Sequence, residues 1–327
     1  MIADNLEIML NWLVVGVGDI TTKRVLPAIL AEPRSTLTGI VTRDPGKAES
    51  YGVPSWSRIE DALAESGADA VYIAIPVFLH APQSILCLRA SRHVLCEKPM
   101  AMNYAEACSM EQAARDCGRI LGIAYYRRLY PKVQRAKELI EEGAIGRPVF
   151  AEATSHDWFN PAEGKRGWLA DPKRAGGGPL YDIASHRIDL MNYLFGAPLR
   201  ASGHLSTVIQ PVAVEDNASV LIDYENGVRA FVDVRWHSRI ARDEFKIRGT
   251  DGEIDLSPLN GDSLVFPGGR EVIPAPVNLH YPCIHDFVEA VLDGTPLRSS
   301  GKSAMVTDWV TGQVLRSSTE IDSSKFS

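Results

Sequence analysis

The stretch GGGPLYDIASHRIDL, residues 176–190, spaces Asp182, His186 and Asp189 four and three positions apart. A helix opening near Pro179 brings all three onto one stripe. Histidine takes or returns a proton near neutral pH, and a carboxylate beside it can orient the ring or hold a neighbouring hydroxyl. Leu180, Ile183, Ile188, Leu190 and Met191 fill most of the other sides of that helix. A polar stripe on such a helix faces a cleft or water. The alternatives are therefore a proton-transfer site and a capped surface helix with a local His/Asp pair.

Residues of this kind need elements that hold them. The first part of the chain alternates apolar strand candidates at 12–17, 38–42, 70–75, 93–96 and 120–125 with helical stretches at 23–31, 59–65, 80–91 and 104–117. That alternation predicts a doubly wound, mainly parallel sheet covered on both faces, an α/β domain over residues 1–126. Beyond it come a helix at 132–142, a strand at 149–154, the GGGPL helix, and then period-two runs SVLIDY, VRAFVDVRW, EFKIRG and GEIDL separated by glycine turns. These predict an α+β domain over 127–327 with a large, mostly antiparallel, open-faced sheet. Helices at 283–292 and 304–316 close the chain, the last of them free to pack on either domain.

Composition narrows the class. The chain has 327 residues, 45% of them apolar, enough for two cores. A formal charge of −7 offers nucleic acid no general attraction. An apolar run of roughly 18 residues, the length that spans a bilayer, does not occur. Five cysteines without a CxxC pair suggest reduced thiols in a cytoplasmic protein, and no His/Cys ligand set predicts a catalytic metal. Alternating segments such as RAFVDVRW can present an apolar face to a second subunit, which predicts a homodimer or homotetramer through the second sheet.

VVGVGDITTKRVLPAI sets Gly16 and Gly18 after the first strand and before a helix, with Asp19 and Ile20 completing the turn. Gly16 suits the tight turn, and Gly18 lets a pyrophosphate approach backbone amides. Thr21 stands where the fingerprint has its third glycine. After the second strand, Thr42 and Arg43 offer a hydroxyl and a guanidinium to a ribose 2′-phosphate, and Lys47 adds charge. That reading favours NADP. Asp44, one position on, keeps NAD open, because an acidic residue there would select a free 2′-hydroxyl.

HVLCEKPM at 93–100, the GxG turn, the AYYRRLYP segment and GGGPLYDIASHRIDL together resemble the Gfo/Idh/MocA family, named for glucose-fructose oxidoreductase, inositol dehydrogenase and a rhizopine catabolism protein. The resemblance covers most of the chain. It implies a Rossmann domain followed by a substrate domain, and NAD(P)-dependent interconversion of a hydroxyl and a keto group on a sugar, polyol or related compound. It also implies that Lys98 stands near nicotinamide and substrate, with Asp182 beside His186 as the acid or base. Lys98 can then donate to the substrate oxygen and stabilise developing negative charge there.

The chain departs from the family pattern at Ile75-Pro76-Val77, at Tyr126-Arg127-Arg128 and at Ala184. These departures admit a second reading, a nucleotide-dependent sensor without turnover. Ile75, Pro76, His80, Glu97 and Lys98 complete the expected cofactor side, His80 chiefly as the residue that opens the helix after Pro76. Tyr126, Arg128 and Trp168 join Asp182 and His186 as expected substrate contacts. His156, Asp157 and Trp158 form a polar and aromatic group after a strand of the second domain, Lys165 and Arg166 precede the glycines, and for His237 a place at the cleft and a solvated strand end explain the position equally well.

Overall fold

The computed structural model describes residues 8–161 and 163–318, the Lys165 side chain excepted. They fall into two compact units: one runs to Tyr130 and takes in Pro276–Met305, and the other comprises Pro131–Ala275 with the residues from Val306.

In the first unit, strands β1 (Leu10–Val15), β2 (Ser35–Val41), β3 (Ser55–Trp56), β4 (Ala70–Ile73), β5 (His93–Cys96) and β6 (Leu121–Ile123) form a parallel sheet in the order β3-β2-β1-β4-β5-β6. All four residues of β4 are buried, as expected for a strand covered on both faces. The chain steps outward from β1 to β2 and β3, then crosses back to β4, so the order reverses between β1 and β4. Such a reversal opens a crevice at the carboxyl ends of those strands. Gly16 follows β1, Ile75 lies just past β4, and Glu97 and Lys98 follow β5. The returning residues pack against this unit: Phe287, in the helix Tyr281–Leu292, meets Trp12 at 5.3 Å between ring centroids. Ser299 also accepts from the Ile123 N–H at 2.9 Å, beyond β6.

The second unit holds β7 (Pro148–Trp158), β8 (Pro198–Ser206), β9 (Asn217–Tyr224), β10 (Arg229–Arg235), β11 (His237–Gly249), β12 (Glu253–Asp255), β13 (Ser263–Phe266) and β14 (Gly269–Val272). They form an eight-stranded sheet in the order β14-β13-β12-β11-β7-β10-β9-β8. Neighbours are antiparallel except β7 and β10, which run parallel. Side-chain alternation gives a strand's period and not the direction of its partner, so this pair was not readable from the sequence. Along β9, Ala218, Val220 and Ile222 turn inward while Asn217, Ser219 and Leu221 remain partly exposed. The helix Ser185–Phe195 is joined to the buried face: the Tyr224 hydroxyl donates to Asn192 Oδ1 at 2.9 Å, and the Phe195 ring lies 5.7 Å from that of Tyr224.

Candidate active site

The turn after β1 has the space a dinucleotide backbone needs. Gly16 holds φ +92°, and a Cβ there would stand 2.3 Å from the Ala74 carbonyl oxygen, so only glycine lets β1 and β4 close on each other. Its N–H donates to Val41 O at 2.9 Å. Gly18 is exposed, and a Cβ added to it would meet no protein atom within 4 Å. Nothing in the chain itself demands glycine at this second position, and the turn there is open. Thr21 is fully buried at the third fingerprint position, and the helix enters through a wide π turn over Thr21–Val25. Exposed Asp19 pairs with Lys23 at 3.3 Å.

At the end of β2, Thr42 is engaged locally: its hydroxyl donates to Asp44 O at 3.2 Å and accepts from the Asp44 N–H at 3.1 Å. This small turn leaves Arg43 and Asp44 both exposed. Lys47 donates to Val17 O at 3.4 Å, which holds the turn beside the glycines.

Past β5, the Glu97 carboxylate accepts from the Tyr72 hydroxyl at 2.7 Å and lies 3.4 Å from His280 Nε2. The Lys98 N–H donates to its other oxygen at 3.3 Å. Burial pushes the Glu97 pKa upward, but His280, Tyr72 and the Lys98 charge outweigh it and hold the carboxyl below its ordinary value. Lys98 is half-buried and joins Pro99 through a cis peptide bond. Tyr126, buried, lies against the His280 ring at 4.4 Å. Arg128 turns inward: at 2% exposure it donates to Arg298 O at 2.9 Å and to Ser303 Oγ at 2.7 Å, which ties down the returning segment.

In the second unit the three glycines have a packing reason. A Cβ on Gly176 or Gly177 would fall 2.4 or 2.6 Å from the Tyr181 ring, and one on Gly178 would fall 2.0 Å from Glu215 O. The turn thus wraps Tyr181 and Glu215. The Glu215 carboxylate accepts from the Leu180 N–H at 3.0 Å. The helix then starts as a π turn, Leu180–Ala184, in which the Ser185 N–H reaches back five residues to Leu180 O. His186 and Asp189 both follow this turn, in the helix Ser185–Phe195, where their three-residue spacing keeps them on one side. Asp182 stays partly exposed, with its carboxylate 3.9 Å from Arg166 Nη1. His186 is mostly buried, and Asp189, at 1% exposure, belongs to the interior, 3.5 Å from Thr307 Oγ1. Arg187 anchors the helix through Asp243 at 3.0 Å and Ser155 at 3.2 Å.

Trp168 packs on the small core of Leu169, Ala175, Val214 and Trp236. His156 sits on the sheet, 2.6 Å from Asp233, whose other oxygen accepts from Ser219 at 2.6 Å. His237 Nε2 lies 3.9 Å from buried Asp216. Asp157 and Trp158 are exposed, with Arg239 stacked over the Trp158 ring at 3.9 Å. His280, Tyr72 and Glu215 were not singled out from the sequence, because each meets its partner across 25 or more residues and carries no local spacing signal. Among the described residues, no group of three or more His, Cys, Asp or Glu is arranged to hold a metal ion.

Residues 10–125 match an oxidoreductase family with an NAD-binding Rossmann fold, and residues 133–255 match the GFO/IDH/MocA C-terminal domain. The chain is 30% identical to trans-1,2-dihydrobenzene-1,2-diol dehydrogenase of Mus musculus over 278 residues, 82% of this chain and 81% of that protein. It is 29% identical to 1,5-anhydro-D-fructose reductase of Ensifer adhaerens, over 86% of this chain and 88% of that one. Levoglucosan dehydrogenase, solved with NADH and levoglucosan, is similar in structure with a TM-score of 0.84 at 26% identity, covering 94% of this chain and 96% of the other. The chain belongs to the Gfo/Idh/MocA family of NAD(P)-dependent oxidoreductases.

Proposed function

We propose that this protein is an NADP-linked oxidoreductase that interconverts a hydroxyl and a keto group on a sugar, polyol or related small molecule. The observation that carries the reading is Lys98 at the carboxyl end of β5, in the same sheet whose β1 end carries the open turn at Gly18. The relatives support the substrate class, since anhydrofructose, levoglucosan and a dihydrodiol each carry a hydroxyl or keto carbon on a ring.

A bound nicotinamide supplies the hydride chemistry. The protein's own part is proton transfer and charge. Lys98, with its neighbour Glu97 already engaged by Tyr72 and His280, stabilises negative charge growing on the substrate oxygen. His186 takes or returns the proton at that oxygen, and Asp182 orients the ring or holds an adjacent hydroxyl. Lys98→Met and His186→Asn should each lower kcat by roughly a hundredfold or more with the fold intact. Full activity in both purified variants removes the assignment. Tight NADPH binding with no change in nicotinamide absorbance across sugars, polyols, keto-sugars and dihydrodiols removes it too.

The partly exposed face of the second sheet supports assembly as a homodimer or homotetramer. Phe231 on β10 stands level with Leu221 on β9 and Glu152 on β7, among charged neighbours. Light scattering at micromolar concentration that returned only monomer would remove this part of the proposal.

A further inference from the structure

His80 opens the helix His80–Arg89 and is 1% exposed. Its Nε2 lies 2.8 Å from Ile75 O, and its Nδ1 lies 2.9 Å from Pro99 O. The first carbonyl belongs to the turn beyond β4, beside the glycine crevice. The second directly follows Lys98. A carbonyl oxygen accepts and has no proton to give, while a neutral imidazole carries a single N–H. The neutral ring can therefore bond one turn only, and it sets a nitrogen lone pair against an oxygen lone pair at the other. The imidazolium donates to both.

We propose that His80 is a positioning residue whose doubly protonated ring ties the Ile75–Pro76 turn to the Lys98–Pro99 turn, so that its protonation governs how firmly Lys98 and the cofactor side are held. With both nitrogens turned to main-chain carbonyls, His80 acts through these turns and does not meet cofactor or substrate itself.

The charged groups facing the ring come from the β5 turn: Glu97 favours the imidazolium and Lys98 opposes it. From the β4 side the ring faces the Ile75 carbonyl. Burial is the largest influence and draws the ring below the ordinary imidazole value, while the two carbonyls pull in the other direction. The two-sided clamp consequently forms as pH falls below neutral, and one of its bonds is released as pH rises.

The test uses the full chain, labelled with 15N in histidine and 13C in the proline carbonyl, and titrated from about pH 8 to about pH 5. The His80 signals, assigned by their loss in His80→Gln, should pass from a ring with one proton to a ring with two. The Pro99 carbonyl resonance should move with the same midpoint. A ring that keeps one neutral tautomer throughout, or a Pro99 carbonyl that does not follow it, overturns the clamp whatever the cofactor.

A second readout rests on the proposed nicotinamide function. The dissociation constant of NADPH should weaken by about fivefold as pH rises through that midpoint, and this dependence should vanish in His80→Phe, whose fold is checked by circular dichroism. A variant that is less stable but keeps the wild-type pH dependence shows His80 to be structural only, and overturns the positioning role. If NADPH fails to bind at any pH, the proposed function falls while the magnetic resonance result still decides the clamp.

Discussion

Leu180 donates its backbone N–H to the Glu215 carboxylate at 3.0 Å, and Gly178, two residues earlier, passes so close to Glu215 that a Cβ would come within 2.0 Å of its carbonyl oxygen. One residue thus receives the helix that carries Asp182 and His186 and also limits what its entry turn can contain. Gly178→Ala must push backbone against backbone. It should cost about 1–3 kcal/mol of stability in urea denaturation and lower kcat more than the KM for cofactor, since the turn belongs to the helix of His186. An alanine variant of wild-type stability and turnover would show that the turn can move aside freely.

The two glycines after β1 should separate by the same reasoning. A Cβ on Gly16 meets Ala74 O at 2.3 Å and also strains a φ of +92°, so Gly16→Ala should destabilise the protein by about 1–3 kcal/mol. A Cβ on Gly18 meets nothing within 4 Å. Gly18→Ala should therefore keep stability within about 0.5 kcal/mol while weakening NADPH binding, measured by fluorescence titration. Unchanged NADPH affinity in a folded Gly18→Ala variant would place the pyrophosphate elsewhere.

Much of this was legible because it is local. The strand ending at Val15 followed by GxG, the CEKP run after an apolar strand, and the alternation of Ala218, Val220 and Ile222 each carry their meaning within about ten residues. What stayed hidden depends on partners distant in the chain. Strand β8, PLRASGHLS, does not alternate in polarity, and β3 is two residues long. The wide entry turn at Leu180–Ala184 has no clear sequence signature, and the burial of Asp189 rests on residues far along the chain, such as Thr307. The bonds from Arg128 to Arg298 and Ser303 likewise reach some 170 residues along the chain and leave no local spacing signal.

Glu97 gives a pH prediction with a definite sign. Burial raises its pKa, but His280, Tyr72 and Lys98 more than offset this, so the folded value lies below the unfolded one. A carboxyl of this kind contributes stability that is fully present above the unfolded value, about pH 4.3, and is lost as pH falls through the folded value. In Glu97→Gln this contribution is absent at every pH. Its unfolding free energy should thus fall less steeply than that of wild type as pH is lowered from about 5, measured by urea denaturation at a series of pH values. An identical slope in the two proteins would show that Glu97 titrates alike in the folded and unfolded chains.

Cofactor choice turns on three residues in a row. The Thr42 hydroxyl is spent on the Asp44 backbone, giving to its carbonyl and receiving from its N–H, so it shapes the turn and presents Arg43. Arg43 and Asp44 both reach solvent from that turn. An exposed guanidinium there suits a 2′-phosphate, because a charge-assisted, often two-pronged bond contributes about 1.5–3 kcal/mol. An exposed carboxylate suits the free 2′-hydroxyl. The wild type should bind NADPH more tightly than NADH, and Arg43→Ala should weaken NADPH about tenfold to a hundredfold while leaving NADH nearly unchanged. Equal weakening of both would assign Arg43 to the adenine or to the turn itself. A native preference for NADH, enlarged by Arg43→Ala and reduced by Asp44→Asn, would give control of the ribose end to Asp44.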